Sequence, residues 1–590
     1  MIQAEFFPCD ASYKYPVGGV KTNENFTINI KSDASHAFFV LTKVEESPVS
    51  YPMEKTSDGF TLTMCVTTKG IYSYYFQLEK ANELTHFYAG DDLYASAEEG
   101  EEWQLTAYDE VYSTPDTFEG GIIYQIMPDR FAIGKKRYTT KKNAEYRTDW
   151  AGTPHYKADE QGIIKNNDMF GGNLDGVIEN LDYLKSLGVK CIYLNPIFEA
   201  SSNHKYDTGS YNRVDGDFGG DEALARLIKK AKSKGIAIML DGVFSHTGAD
   251  SIYFNRYGNY DSVGAYQSEN SPYFKWYNFE KYPDKYDCWW GVKILPCVNE
   301  NDTSFTEFIT GEDGIVRKYL KMGISGWRLD VADELPDEFL DKLTKAVKKV
   351  NPTAMVLGEV WEDASNKVAY SVRRRYLLGG QLDSVTNYPL KDAIIEFVRE
   401  KDAFALAKTV CTIINNYPKK VVDNLMNMLS THDTKRILTM LSNDEVPKEK
   451  DERAESVISD YEDAVRRLKL ASVLQYTLPG TPCLYYGDEA GMQGHEDPFN
   501  RRCYPWGRED ENLVEFYKVL GSLRKIKALQ NGAITIEKSE KGIFIFRREN
   551  IRVIANASDD CYPLGESTVD LISGETCVLV EPESAIVTKI

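Results

Sequence analysis

The chain has 590 residues, 42% hydrophobic and 27% charged. That soluble composition excludes disorder, collagen and coiled coil as readings of the whole, and the length calls for several domains or one large barrel with satellites. Its 69 basic residues stand against 90 acidic ones, a net charge of −21, and such a field repels nucleic acid and anionic membranes, so neither is an expected partner.

The start, MIQAEFFPCD, has no basic n-region and no apolar h-region, so no signal peptide is expected. No run reaches the ~18–20 apolar residues of a membrane span. The ten cysteines include no C-x-x-C pair. Thiols inside apolar runs such as CIYLNP and PCLYYG read as small buried hydrophobes, and a cytoplasmic location is the expectation. Residues 1–117 carry short alternating runs (FTINI, AFFVLTKV, FTLTMCV, YSYYFQL) between polar turns and no helical period, which predicts a β-sandwich. The 38 tyrosines fit either sugar-stacking surfaces or large cores.

From Gly120 apolar strand-length runs alternate with amphipathic helical stretches. GGIIYQIM predicts a strand. VIENLDYLKSLG predicts one helix with Val177, Ile178, Leu181, Leu184 and Leu187 on a single face, and EALARLIKKAKSKG a helix closed by Gly235. Eight strands are predicted near 120–127, 189–195, 236–243, 326–331, 354–360, 382–387, 427–432 and 481–487. Continuously apolar strands belong to a parallel sheet covered on both faces, so residues 118–529 are expected to form a (β/α)8 TIM barrel. The stretch 246–303, rich in Tyr, Trp, Asn and Gly, interrupts the rhythm after the third strand and reads as an inserted subdomain. The charge run 444–462 reads as a solvated loop or helix face. Residues 530–590 return to short strands (AITIEK, GIFIFRR, IRVIANA, CVLVEP), a C-terminal β domain.

In such a barrel the chemistry sits at the C-terminal ends of the strands. The third predicted strand ends in Asp241 and His246, the fourth carries Arg328 and Asp330, the fifth Glu359, and the seventh ends in His432 and Asp433. One Asp at a strand end caps a helix as readily as it catalyses, and one His is often a hydrogen-bonded core residue. Seven such groups on four strand ends are hard to explain by packing, because charge inside apolar strands is costly unless paired. Arg328 lies two residues before Asp330 and so on the same strand face, placed to keep that carboxylate ionised. Neighbouring negative charge would raise the pKa of Glu359. Paired carboxyls of this kind, about 5–5.5 Å apart, make a retaining glycosidase.

The stretches DGVFSH (241–246), GWRLDVADE (326–334), GEVW (358–361) and STHD (430–433) stand in the order and spacing of the α-amylase family, glycoside hydrolase family 13, which the chain resembles over about 120–505. YQIMPDRF, NHKYDTGSY, GTPCLYYGDE and DPFNRR support the likeness. The group that the chain is most similar to contains the neopullulanases, cyclomaltodextrinases and maltogenic amylases, whose N-terminal domain resembles a family 34 carbohydrate-binding module.

The resemblance implies Asp330 as nucleophile, Glu359 as general acid and then base, and Asp433 as stabiliser of the oxocarbenium-like transition state. It further implies Arg328 as the partner that orients Asp330, His246 and His432 as donors to the sugar hydroxyls, and Tyr206 as a stacking ring. Trp361 would lie on the acceptor side, Asp497 and Arg501 on the donor side, with Asp241 and Trp290 as further substrate contacts. The pair Trp289–Trp290 fits sugar stacking or a core role. An α-glucan is the implied partner, and a homodimer through the N-terminal domain is implied beside glucan binding or packing on the barrel. Three readings of function stay open. One is a hydrolase of α-1,4 bonds in maltooligosaccharides, cyclodextrins or pullulan. The second is a transglycosidase or exo-acting α-glucosidase on the same fold. The third is a non-catalytic glucan-binding protein.

The chain departs from the pattern at several positions. Ser245 stands where the family usually has an Asn, Asp333 where V-A-N-E would have Asn, and Leu295-Pro296-Cys297-Val298-Asn299 replaces M-P-K-L-N. DGDFGG (215–220) resembles an EF-hand start, but Arg226 stands where the bidentate Glu is needed. The loop IGKKRYTTKKN (133–143) is lysine-rich where the family's calcium loop is Asn- and Asp-rich, and lysines repel a dication and offer it no oxygen ligand. No metal site and no cofactor are therefore expected. Elemental analysis of dialysed protein should find no stoichiometric calcium.

Overall fold

The computed structural model describes residues 2–81, 83–98, 100–160, 162 and 164–590. The N-terminal part folds as two facing sheets. One is built around Phe26–Ser32 and Gly59–Met64, the other around His36–Lys43, Gly70–Lys80, Glu83–Ala89 and Trp103–Tyr108. Inward positions of these alternating strands place Phe39, Tyr74, Phe76 and Trp103 around Phe6, whose ring meets those of Phe76 and Trp103 edge-on at 4.9 Å. This sandwich packs on its own barrel. Fully buried Lys14 donates from Nζ to Asn415 Oδ1 at 2.8 Å, and burial lowers its pKa to about 8. Thr106 Oγ1 donates to the Asn416 carbonyl at 2.6 Å.

All eight predicted barrel strands are present: β1 Ile122–Ile126, β2 Val189–Leu194, β3 Ala237–Gly242, β4 Gly326–Leu329, β5 Met355–Gly358, β6 Ser384–Val385, β7 Met426–Met428 and β8 Thr481–Tyr485. They pair in parallel from β6 through β5, β4, β3, β2, β1 and β8 to β7. A parallel bridge between Thr386 and Met426 joins the two ends. Alternate residues point inward, and Ile123, Cys191, Tyr193, Met239, Met355, Leu357, Met426, Met428 and Cys483 fill the barrel interior as one cluster. The other parity, including Tyr124, Ile192, Leu240, Trp327 and Val356, packs against the surrounding helices.

The stretch predicted as a single helix over 177–188 is two, Leu174–Glu179 and Leu181–Ser186. Asn180 leaves helical geometry at φ −104°, ψ 12°, and its amide side chain donates to the Gly176 carbonyl at 2.8 Å. A local side-chain bond thus competes with the helix ladder. Val177, Leu181, Leu184 and Leu187 are buried and Ile178 is half-buried. Gly235 follows the helix Gly220–Ser233 with a left-handed φ of 75°.

The insertion holds a short hairpin, Phe279–Lys281 with Lys285–Tyr286, and buries Tyr253, Phe254, Trp276 and Tyr277 against the main core. The lysine-rich loop is tied to the DGDFGG stretch. Lys141 and Lys205 both bond Asp215, the latter at 3.2 Å, and Thr140 donates from its backbone to Asp217. The charge run yields the largely exposed helix Lys450–Glu455. A four-stranded C-terminal sheet, Ile534–Glu540, Ile543–Arg548, Ile551–Asn556 and Ser584–Lys589, packs on the helices Tyr461–Thr477 and Ala403–Asn416. Among the described residues no helix is long and apolar enough to cross a membrane.

Fully buried Glu489 pins β1 and β8 to the helix Leu181–Ser186. It accepts from Tyr124 Oη at 2.6 Å, Tyr183 Oη at 2.9 Å and the Gly487 amide at 2.9 Å. Burial raises its pKa to about 7. The folded chain therefore holds a proton that the unfolded chain releases. This contribution is complete below about pH 4.5 and is lost as pH rises through about 7, a change of about 3 kcal/mol. Glu489→Gln should remove this pH dependence, so thermal melts at pH 5 and pH 8 should favour wild type less at pH 8. An unchanged difference at the two pH values would show that Glu489 is ionised throughout.

Candidate active site

The site is made of the inward positions that follow the apolar fill of the barrel. Gln125 follows Ile123 on β1, Tyr193 follows Cys191 on β2, and Asp241 follows Met239 on β3. On β4 the same parity gives Arg328 and, just past the strand, Asp330, and past the ends of β5 and β7 it gives Glu359 after Leu357 and His432 after Met428 and Ser430. Asp241 and Arg328 are register partners on adjacent strands. A Cβ at Gly358, just before Glu359, would meet Leu382 Cδ1 at 2.4 Å, so a larger residue there would have to displace that buried side chain.

Arg328, 2% exposed, bonds three carboxylates at once. Its Nη1 lies 2.9 Å from Asp241 Oδ1 and 2.7 Å from Asp330 Oδ1, and its Nη2 lies 2.9 Å from Glu359 Oε2. Burial pushes the pKa of all three carboxyls upward. At Asp330 and Asp241 charge repulsion from Glu359 adds to this, and at Glu359 repulsion from Asp433 does; Arg328 opposes the rise at each. The set titrates as one unit that retains a proton above the ordinary carboxyl range. One guanidinium cannot neutralise three ionised neighbours.

Val331 follows Asp330 at φ 36°, ψ 68°, a left-handed conformation that costs a β-branched residue on the order of 1–3 kcal/mol. The turn aims the Val331 amide at Glu359 Oε2, 2.9 Å away. Trp361 Nε1 donates to the other oxygen, Oε1, at 3.3 Å.

Opposite lies a polar relay. Gln125 Nε2 donates to His432 Nδ1 at 2.8 Å, which assigns the ring proton to Nε2. That nitrogen lies 2.5 Å from Tyr206 Oη and 3.0 Å from Asp433 Oδ2. Tyr206 in turn donates to Asp241 Oδ2 at 3.0 Å, which also receives Tyr193 Oη at 2.6 Å. Burial, with help from Arg501 and Arg328, depresses the pKa of His432 far below the ordinary range, so the ring is neutral. Arg501 contacts Asp433 at 3.3 Å and Asp497 at 3.2 Å. His246 is buried, its pKa lowered by burial to about 4. It shares a 3.1 Å hydrogen bond at Nδ1 with Ser245, while its buried Nε2 has no protein partner among the described residues. A neutral imidazole with one free nitrogen is suited to a ligand hydroxyl.

The structure thus brings Asp241, Arg328, Asp330, Glu359, His432, Asp433, Tyr206, Asp497 and Arg501 into one linked constellation. Tyr206 lies parallel to His432, ring centroids 5.2 Å apart, and meets it edge to edge through its hydroxyl on Nε2, so neither ring covers the other's face. Trp361 touches Glu359 but has one face on Tyr388 at 4.0 Å. Trp290, 80% exposed, makes no bond to this constellation and donates to Glu334 at 3.1 Å. Sequence reasoning missed Tyr193, Gln125 and Val331. The first two stand at inward positions of strands read as apolar throughout, and counting parity from the strand ends would have found them. A left-handed Val331 has no sequence signal.

Residues 125–519 match the family "Alpha amylase, catalytic domain". An amylopullulanase of Thermoanaerobacter thermohydrosulfuricus is 34% identical over 92% of the chain, which spans only 40% of that relative's length. A cyclomaltodextrinase of Geobacillus thermopakistaniensis is 33% identical, covering 79% of the chain and 75% of the relative. Among solved structures, the type III pullulan hydrolase of Thermococcus kodakarensis aligns over the whole of both chains with TM-score 0.70 and 26% identity.

Replacing Arg328 by Met would leave Asp241, Asp330 and Glu359 buried without their shared cation, at a cost of about 3–5 kcal/mol when they are ionised. Their folded pKa values would rise further, so the cost should grow with pH. The Tm of Arg328→Met should fall much further below wild type at pH 8 than at pH 5. Equal losses at both would place the effect in packing.

Proposed function

Since the chain belongs to the α-amylase family, we propose that it is a retaining α-glucan hydrolase, acting on α-1,4-glucosidic bonds of maltooligosaccharides, cyclodextrins or pullulan and able to pass the glucosyl group to a sugar acceptor. The observation that carries this reading is the single Arg328 guanidinium bonded to both Asp330 and Glu359. It keeps the two carboxyls close enough for attack on a sugar carbon from one side and protonation from the other, as a retaining pair requires.

In the first step Asp330 attacks C1 as Glu359 gives its proton to the glycosidic oxygen. The C1–O bond breaks, the shortened glucan leaves with a hydroxyl, and a β-glucosyl ester forms on Asp330. In the second, Glu359, now a carboxylate, takes a proton from water or from an acceptor hydroxyl that attacks C1. The ester breaks and the α configuration returns. Arg328 moderates the charge of Asp330 in both steps. Asp433, held by Arg501, faces the developing positive charge on the ring, and the neutral rings of His432 and His246 meet its hydroxyls. The cyclomaltodextrinase, amylopullulanase and pullulan hydrolase names among the relatives support the choice of glucan classes.

Asp330→Asn should cut maltotriose hydrolysis by at least ~10³-fold and Glu359→Gln by about 10²–10⁴-fold, with both proteins melting within a few degrees of wild type. Proton NMR of the wild-type reaction should show the α-anomer first. Near-normal hydrolysis by Asp330→Asn would overturn the assignment. Chromatography of products from maltotriose, β-cyclodextrin and pullulan separates hydrolysis from transfer and endo from exo action.

A further inference from the structure

Beside the catalytic carboxyls, on the side of Glu359, lies a separate pocket of about 450 Å³. The rings of Trp289, Trp290 and Tyr370 wall it, and Glu300 and Glu334 line it. No lysine, arginine or histidine is among its lining residues in the described part of the chain. Glu334 accepts from Trp290 Nε1 at 3.1 Å and feels the charge of Glu359, which places the pocket next to the reacting centre. Glu300 is 8% exposed, and the only hydrogen bond to its carboxyl among the described residues comes from its own backbone amide. Burial, with Glu334 adding to it, raises its pKa to about 8. Near neutrality that carboxyl keeps its proton, and a cation seated beside it would favour its ionisation.

The ligand that would take that proton's place needs positive charge and a weak hydration shell. Two carboxylates give too few ligands for a metal ion, and no group of three or more His, Cys, Asp or Glu that could hold one exists among the described residues. Aromatic faces attract organic ammonium ions, and desolvation strengthens that attraction. We propose that this pocket binds a small organic ammonium group, held against the Trp289, Trp290 and Tyr370 rings, with Glu334 and, once binding has released its proton, Glu300 as counter-charge. Amino sugars are the carbohydrates it admits beside Glu359. The second half rests on the glycosidase reading; the first does not.

The test uses the full-length resting protein without glucan. Tetramethylammonium chloride is titrated at constant ionic strength against sodium chloride, followed by calorimetry and tryptophan emission. Saturable binding is expected with the ammonium salt alone, at least tenfold weaker in both Glu300→Gln and Glu334→Gln, with the melts of both variants checking their fold. Glucosamine at pH 7 should bind at least tenfold more tightly than glucose. The inactive Asp330→Asn protein should bind tetramethylammonium as wild type does, so failure of the catalytic assignment and failure of the pocket are read separately. Non-saturable binding, unchanged affinity in both glutamine variants, equal binding of glucosamine and glucose, or loss of tetramethylammonium binding in Asp330→Asn would overturn the proposal.

Discussion

Three carboxylates converge on the buried Arg328 guanidinium, and the rest of the cleft is arranged around their unequal count of charge. Without the arginine, Asp241, Asp330 and Glu359 could not remain ionised at these burials. With it, the set is still short of positive charge, and burial and repulsion keep the carboxyl pKa values high. That shortage is the useful property. A site needing one carboxylate to attack and another to deliver a proton requires a proton held among closely spaced acids near neutrality. Arg501 supplies the second cation, at Asp433, with Asp497 sharing its charge.

The convergence is a consequence of strand alternation. The apolar inward residues of β1, β2, β3, β5 and β7 fill the barrel, and two positions further along each strand the same face leaves the fill and meets the cleft. Polarity therefore switches without any change in direction of the chain. The parallel register then fixes who neighbours whom: Asp241 sits beside Arg328 because β3 and β4 pair them. Val331 adds what alternation cannot. Its left-handed turn bends the chain out of β4 and delivers a backbone amide to Glu359. Local strain is held there by Ala332, whose amide donates to the Glu359 carbonyl at 3.0 Å, and by the Asp330 amide on the Gly242 carbonyl at 3.2 Å.

This explains what could be read from the chain alone. Asp, Arg, Glu and His at the ends of apolar runs stand out because nothing in a core tolerates them unpaired, so eight strands and the charged rim were legible together. Tyr193 and Gln125 escaped because a tyrosine or glutamine in an apolar strand is compatible with a core. The relay from Gln125 through His432 and Tyr206 to Asp241 exists only once strands distant in sequence are neighbours. Asn180 illustrates the opposite failure: the hydrophobic period ran straight through 177–188, and a single side chain bonded to its own helix broke it. The inserted segment was legible as an interruption but not as a wall, since irregular backbone carries no period from which to infer facing.

The two sides of the cleft consequently differ in kind. Around Asp433 the carboxylates are matched by Arg501 and by neutral imidazoles, and the polar atoms are mostly partnered. Around Glu334 they face tryptophan and tyrosine rings and one another. Hydrogen-bond saturation on the first side favours a rigid, fixed grip on one sugar ring. On the proposed reading, the aromatic walls and two acids of the second favour a ligand that brings its own charge or its own donors, and so leave selectivity for the incoming group to residues of the insertion and of the 330–334 and 368–373 loops. On that reading the fold thereby separates the groups that carry the chemistry, built on strand ends, from those that meet the acceptor, built on loops.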